Sequence, residues 1–241
     1  MTRLAVSDQV TRAFPDLLIS AVVADGFDGR SPWPELDQRF AALEASTAAG
    51  LPVPGAEDNP HIAAWHAAYR AFGTNPRRQR PSAEALLRRL ARAGRLPRIN
   101  PAVDGYNLVS AVSSVPAGAF DLDQVAGDIE IRRAEGSEAF TPLGEPGTTE
   151  HPRPGEVIYT DAAGVLTRHW NHRDAERTKV TEASERIVFL LETVDAIAFG
   201  TTLDSATDSL AGLLAGRSGR VVVHQITANQ PAVASLEAAV I

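Results

Sequence analysis

The sequence predicts an α+β domain, in the order strand, helices, many strands, helix, strand. Three observations carry that reading. Residues 17–24, LLISAVVA, form a compact apolar run rich in branched side chains, followed by the turn-like DGFDG. Residues 34–115 place apolar side chains at helical spacing. From residue 128 onward the pattern changes to short alternating runs broken by glycine and proline. Segregated helices and strands fit an α+β arrangement better than a doubly wound sheet.

Taken in order, the first run reads as a buried strand that opens the fold. A helix over 34–49 follows, with Leu36, Phe40, Leu43 and Thr47 on one stripe, prolines ahead of it, and Gly50 and Pro52 stopping it. A second helix spans 61–73, with Ile62, Trp65, His66, Tyr69 and Phe72 on one face and Gly73 as a left-handed terminator. A third covers 81–94, capped by Ser82 and ended by Gly94, with Leu86, Leu87 and Leu90 inward and arginines outward. A fourth runs over 101–115, interrupted at Gly105. Strands are expected at 128–134, 138–144, 156–161, 165–170, 185–194 and 220–227, with a short helix at 205–216. No repeat or linker divides the 241 residues, so a single domain over 1–241 is expected.

Composition narrows the function. Cysteine is absent, which excludes disulfides, thiolate nucleophiles and sulfur metal sites. No run reaches the roughly 20 apolar residues of a membrane helix, and the N-terminus lacks a signal-peptide pattern, so a cytoplasmic protein with no membrane partner is expected. The net charge of −7 hides an asymmetry: residues 69–98 hold nine arginines against the single acid Glu84, leaving −15 on the rest of the chain. Arg77, Arg78, Arg80, Arg88, Arg89, Arg92 and Arg95 are candidates for an RNA phosphate surface, although such a helix is usually a solvated face. No P-loop, G-x-G-x-x-G or G-x-S-x-G occurs.

Residues 100–144 carry a more specific pattern: Asn100, Val103-Asp104, Asn107, Pro116, Phe120-Asp121, a strand from Ile129 to Arg132 or Arg133, and the turn Gly136-Ser137-Glu138. The pattern resembles the editing region, or B3/B4 domain, of the phenylalanyl-tRNA synthetase β subunit. The flanks are similar to freestanding B3/B4 proteins, so the resemblance covers roughly residues 65–195. It implies a layered domain around a β-sandwich-like core with flanking helices, no metal and no nucleotide cofactor, and a pocket facing the acceptor end of a tRNA. In the synthetase this region hydrolyses mischarged tyrosyl-tRNA. The family's threonine position here is Tyr106, and its histidine position, two before Phe120, is Gly118. The synthetase-type site is therefore not present as such.

An aminoacyl ester is already activated, so placing a water against its carbonyl supplies much of the catalysis. The substitute cluster is RHWNHRDAER, 168–177, which offers a ring for a base, guanidinium forks for phosphate and imidazoles near neutral pH. The expected catalytic set is Asn107, Asn171 and His172. The expected substrate-binding set is Asp104, Tyr106, Gly118, Phe120, Arg168, Trp170, Arg173 and Asp174. Strand alternation would turn some of these into core or plain surface. Asp104 and Asn107 can equally satisfy neighbouring backbone, Asp121 reads as a cap, Glu138 as a partner for Arg132 or Arg133, and His61 and His66 as packing. His169, His172 and Asp174 lack an outside ligand, so no metal is expected. The leading expectation is a tRNA-binding protein that hydrolyses mischarged aminoacyl-tRNA in trans. The alternatives are a non-catalytic module for an amino acid or other small molecule, and a protein-interaction domain.

Overall fold

The structure, a computed structural model, describes residues 2–49 and 58–237. Strand β1 (Leu4–Val6) and helix α1 (Asp8–Ala13) precede β2 (Leu18–Asp25), so β2 does not open the fold as expected. Helices α2 (Pro34–Ala48), α3 (Pro60–Ala71), α4 (Ser82–Ala93) and α5 (Pro101–Ser113) follow. The expected stop at Gly50 and Pro52 lies outside the described residues. Asn59 and Asn100 cap α3 and α5 by accepting from backbone N–H groups of the first turn, with a proline next in each case. Ser82 does not cap α4: Pro81 holds that position, and the Ser82 hydroxyl donates to the Ala117 carbonyl instead. Gly94 ends α4 at φ 69°, the left-handed conformation that suits glycine. Gly105 does not interrupt α5; a Cβ there would make only ordinary contact, 3.6 Å from two Trp33 ring carbons.

The remaining strands are β3 (Ala117–Asp121), β4 (Ile129–Arg133), β5 (Val157–Asp161), β6 (Gly164–Arg168), β7 (Arg173–Asp174), β8 (Arg186–Thr193), β9 (Arg220–Thr227) and β10 (Ala232–Val233), with α6 (Ala196–Ala215) before β9. The strand expected at 138–144 forms only isolated bridges at Phe140 and Pro142, since proline cannot donate to a ladder. Helix α6 starts nine residues before the expected 205, capped by Asp195.

Two sheets result, one of order β10-β1-β4-β5-β6-β7 and one of order β3-β8-β2-β9. β2 and β8 are buried on both faces. Alternate residues Leu18, Val22, Ile187, Phe189 and Leu191 face a core shared with Phe40, Leu108 and Leu210 of α2, α5 and α6. Ile19, Ala21, Val23, Val188 and Leu190 face the other sheet, meeting Leu4, Ile131, Tyr159 and Leu166 together with Trp65 and Tyr69 of α3. The domain is thus a helical layer, a four-stranded sheet and a six-stranded sheet. This agrees with the expected α+β layered class.

Candidate functional site

The site lies where the two sheets part. Alternation along β8 places Glu192 on the same face as Val188 and Leu190, so a carboxylate enters the space between the sheets at 3% exposure. A buried carboxylate needs partners. Glu192 has three: the Tyr159 hydroxyl, the Trp170 indole Nε1 at 2.9 Å and Asn171 Nδ2 at 3.1 Å. Asn171 is itself fixed, because its Oδ1 accepts from the Tyr69 hydroxyl at 2.7 Å. Burial nevertheless pushes Glu192 up to about 7, and the Asp174 charge adds to the shift. The same desolvation drives the Tyr69 and Tyr159 hydroxyls well above their usual range.

Around Glu192 is a small cavity of about 50 Å³. Gly118, Phe120 and Leu190 form its four-stranded side, and Tyr159, Thr167 and Asp174 its six-stranded side. Trp170, Asn171 and His172 close one end together with Ser82. One Asp174 oxygen accepts from Thr167 Oγ1 at 2.7 Å, while the other has no partner among the described residues. Burial lifts Asp174 to about 6. A Cβ added at Gly118 would meet nothing within 4 Å.

The wall at 169–172 is built by an unusual turn. His169 and Trp170 both have positive φ, 49° and 67°, where a side chain is disfavoured. Glu156, 2% exposed, holds the turn: it takes Arg168 through Nε at 3.0 Å and Nη2 at 2.9 Å, and accepts the His169 backbone N–H at 3.0 Å. The turn also ends β6 at Arg168, two residues before the strand end expected at 170. The reversal sends Trp170 and Asn171 into the cavity and Arg168 outward into an open cleft of about 960 Å³. Arg78, Arg153, Arg173, His151 and His169 also line the cleft. Arg168 and Arg173 are engaged by Glu150, Glu156 and Glu145, whereas Arg78 and Arg153 make no ion pair among the described residues.

His172 belongs to the wall of both spaces. Its Nδ1 lies 2.8 Å from the Arg80 carbonyl oxygen, which only accepts, so Nδ1 carries the hydrogen and Nε2 is the basic atom of the neutral ring. Burial lowers its pKa below the usual histidine value, with the Arg173 and Arg168 charges adding to the effect. His169 falls to about 4, again chiefly through burial.

Six of the expected residues thus meet at the cavity: Gly118, Phe120, Trp170, Asn171, His172 and Asp174. Arg168 and Arg173 meet in the cleft instead. Asp104, Tyr106 and Asn107 line neither space, as α5 packs on the other face of the four-stranded sheet. Asp104 is consumed by Arg98 Nε and the Ile99 N–H, both at 2.8 Å. Tyr106 packs its ring 6.3 Å from Phe189, and Asn107 lines neither space. Asp121 caps a short 3-10 turn, and Glu138 pairs with Arg132 at 2.6 Å. Glu192, Tyr159 and Thr167 were not singled out from sequence. The signal for Glu192 was a carboxylate inside the apolar run IVFLLETV.

On α4 and its approach, Arg77, Arg78, Arg88, Arg89, Arg92 and Arg95 are exposed and Arg80 is half-buried. Buried Glu84 gathers Arg88 at 2.9 Å, Arg80 at 3.5 Å and His66 at 2.6 Å. Arg89, Arg92 and Arg95 make no ion pair among the described residues. Those residues include no cluster of three or more His, Asp or Glu placed to hold a metal, and no helix long and apolar enough to cross a membrane.

Comparison with known proteins places this geometry in a family. The model of the B3/4 domain matches residues 64–209, more than half of the chain. The chain belongs to the B3/4 domain family. A curated relative of this B3/4 chain, the phenylalanine–tRNA ligase beta subunit of Corynebacterium jeikeium, is 27% identical over 173 residues. That match takes in 69% of this chain and 20% of the relative, so the B3/4 chain spans about a fifth of that protein's length. The crystal structure of an N-terminal fragment of the phenylalanyl-tRNA synthetase β subunit from Pyrococcus horikoshii matches with a TM-score of 0.47 at 16% identity. It covers 90% of this chain and 49% of that one.

Proposed function

We propose that this B3/4 protein binds aminoacyl-tRNA and hydrolyses the ester of a mischarged species in trans. The observation that carries the reading is His172, a neutral imidazole with a fixed tautomer, set between a small carboxylate-lined cavity and a larger cationic cleft. The substrate has two matching halves. Its α-ammonium calls for a carboxylate oxygen not already engaged, and one Asp174 oxygen has no partner among the described residues. Its terminal nucleotide carries phosphate, for which Arg78 and Arg153, with no ion pair among the described residues, stand in the cleft.

In this reading Nε2 of His172 takes a proton from a water as its oxygen bonds to the ester carbonyl carbon. The bond from that carbon to the ribose oxygen then breaks, and the proton passes to the departing ribose. Asn171 acts as a positioning residue, because both ends of its amide are already engaged by Tyr69 and Glu192. The exposed Arg89, Arg92 and Arg95 extend the phosphate contact along the RNA.

The test is deacylation of a panel of correctly and incorrectly charged tRNAs by the purified protein and by His172→Ala. Selective hydrolysis lost in the variant supports the reading. Undiminished hydrolysis by His172→Ala puts the chemistry elsewhere, and binding without turnover leaves a non-catalytic module.

A further inference from the structure

Resting on that reading, we propose that the aminoacyl group taken by this site is small, namely glycyl, alanyl or seryl, and that large aromatic aminoacyl groups are excluded. The first argument is volume. The cavity has a volume of about 50 Å³. It lies far below the roughly 300–1,000 Å³ of a pocket for a larger ligand. An α-ammonium, an α-carbon, a carbonyl and at most a methyl or hydroxymethyl match that size, and an aromatic side chain does not.

The second argument is chemistry. The room a larger side chain would need is already filled by the protein's own Trp170 and Tyr159, each buried and each bonded to Glu192. Asn171 adds a third donor, so three of about four acceptor positions on Glu192 are taken, and this carboxylate is poorly placed to recognise a polar group at the end of a long side chain. Asp174 has one oxygen on the cavity wall with no partner among the described residues, and what it fits is the ammonium common to every aminoacyl group. The site therefore reads the backbone of the amino acid and selects by exclusion.

The third argument is the floor. At Gly118 the backbone alone faces the cavity, and a Cβ there would meet no atom within 4 Å. That open volume is where a substrate side chain of one or two atoms would fit. An alanine at this position would compete for it.

The experiment has two arms. In the first, glycyl-, alanyl-, seryl-, phenylalanyl- and tyrosyl-tRNA are deacylated by the wild type and by Gly118→Ala. The expected result is at least tenfold higher kcat/KM for the small esters than for the aromatic ones, with Gly118→Ala losing alanyl and seryl hydrolysis at least tenfold relative to glycyl. In the second, calorimetry measures binding of glycinamide, alaninamide and tyrosinamide, which keep the α-ammonium and need no turnover. Glycinamide and alaninamide should bind at least tenfold more tightly than tyrosinamide. If no ester is hydrolysed, the hydrolase reading fails while the amides still decide the size of the site. Tyrosyl-tRNA hydrolysed as fast as alanyl-tRNA, tyrosinamide bound as tightly as glycinamide, or no amide bound at all overturns the proposal.

Discussion

Nδ1 of His172 lies 2.8 Å from the carbonyl oxygen of Arg80, the residue that leads into the arginine-bearing helix. The bond fixes which ring nitrogen is basic, and burial keeps the ring neutral below the usual histidine pKa. Deacylation should therefore rise with pH through the acid range and level off once Asp174, at about 6, is ionised. In His172→Ala the rate should drop by about 10²–10⁴-fold. A pH–rate profile of both proteins checks this, and a profile still climbing steeply above pH 8 would exclude His172 as the base.

Asp174 links the cavity to stability. Its folded pKa of about 6 lies above the ordinary 3.8, so the folded state holds the proton more tightly than the unfolded one. The associated stability is present below pH 4 and is lost as pH rises through 6. Asp174→Asn keeps the acceptor for Thr167 and removes the charge. It should stabilise the protein at pH 8 by on the order of 2 kcal/mol and change little near pH 4. Denaturant titrations at the two pH values decide; an equal effect at both would refute the burial argument.

Glu156→Gln should be among the most destabilising changes to the site. It strips the buried partner from Arg168 and weakens the hold on the His169 N–H, while leaving two left-handed residues in place. A loss of about 3 kcal/mol is expected from breaking such a pair. The same denaturant titration at pH 7 measures it, and a loss below about 1 kcal/mol would mean that the turn is held by its neighbours instead.

Gly118→Ala should cost nothing in stability. The position is in a strand, its φ lies outside the left-handed region, and the added methyl meets open space. The reduced freedom of the unfolded chain should give about 0.5 kcal/mol of stabilisation. A fall in melting temperature would show that the cavity is tighter than its walls imply.

Arg89→Glu together with Arg92→Glu should weaken tRNA binding and lower the slope of log affinity against log salt by about 2, one phosphate for each arginine. Arg88 is a poorer probe because Glu84 already holds it at 2.9 Å. Salt-independent binding in wild type and variant alike would remove RNA from this face.

Much of the architecture was legible because helix signals are local. Asn59-Pro60, Asn100-Pro101 and Gly94 mark helix ends through their own backbone chemistry. Helix α6 extends nine residues ahead of the start its sequence signals, because Gly200 and the Thr201-Thr202 pair weaken helical propensity where tertiary packing sustains it. The cluster at 168–177 stood out by composition, but alternation alone could not divide it between two spaces. That division comes from positive φ at His169 and Trp170, which are not residue types that announce a left-handed turn. Asp104 and Asn107 fit a motif equally well with α5 on either side of a sheet, and the sheet order that decides is a long-range property.

The turn at His169 and Trp170 has a consequence for how such a protein can change over generations. Because one reversal of the chain forms a boundary shared by the two chambers, a substitution that loosens the guanidinium network at Arg168 should also shift the His172 imidazole and the Trp170 indole. If the cleft takes the nucleotide end and the cavity the amino acid, as proposed, the two preferences are not separate traits on which selection can act one at a time. New specificity should arise from positions such as Gly118, which shape one chamber without touching the partition.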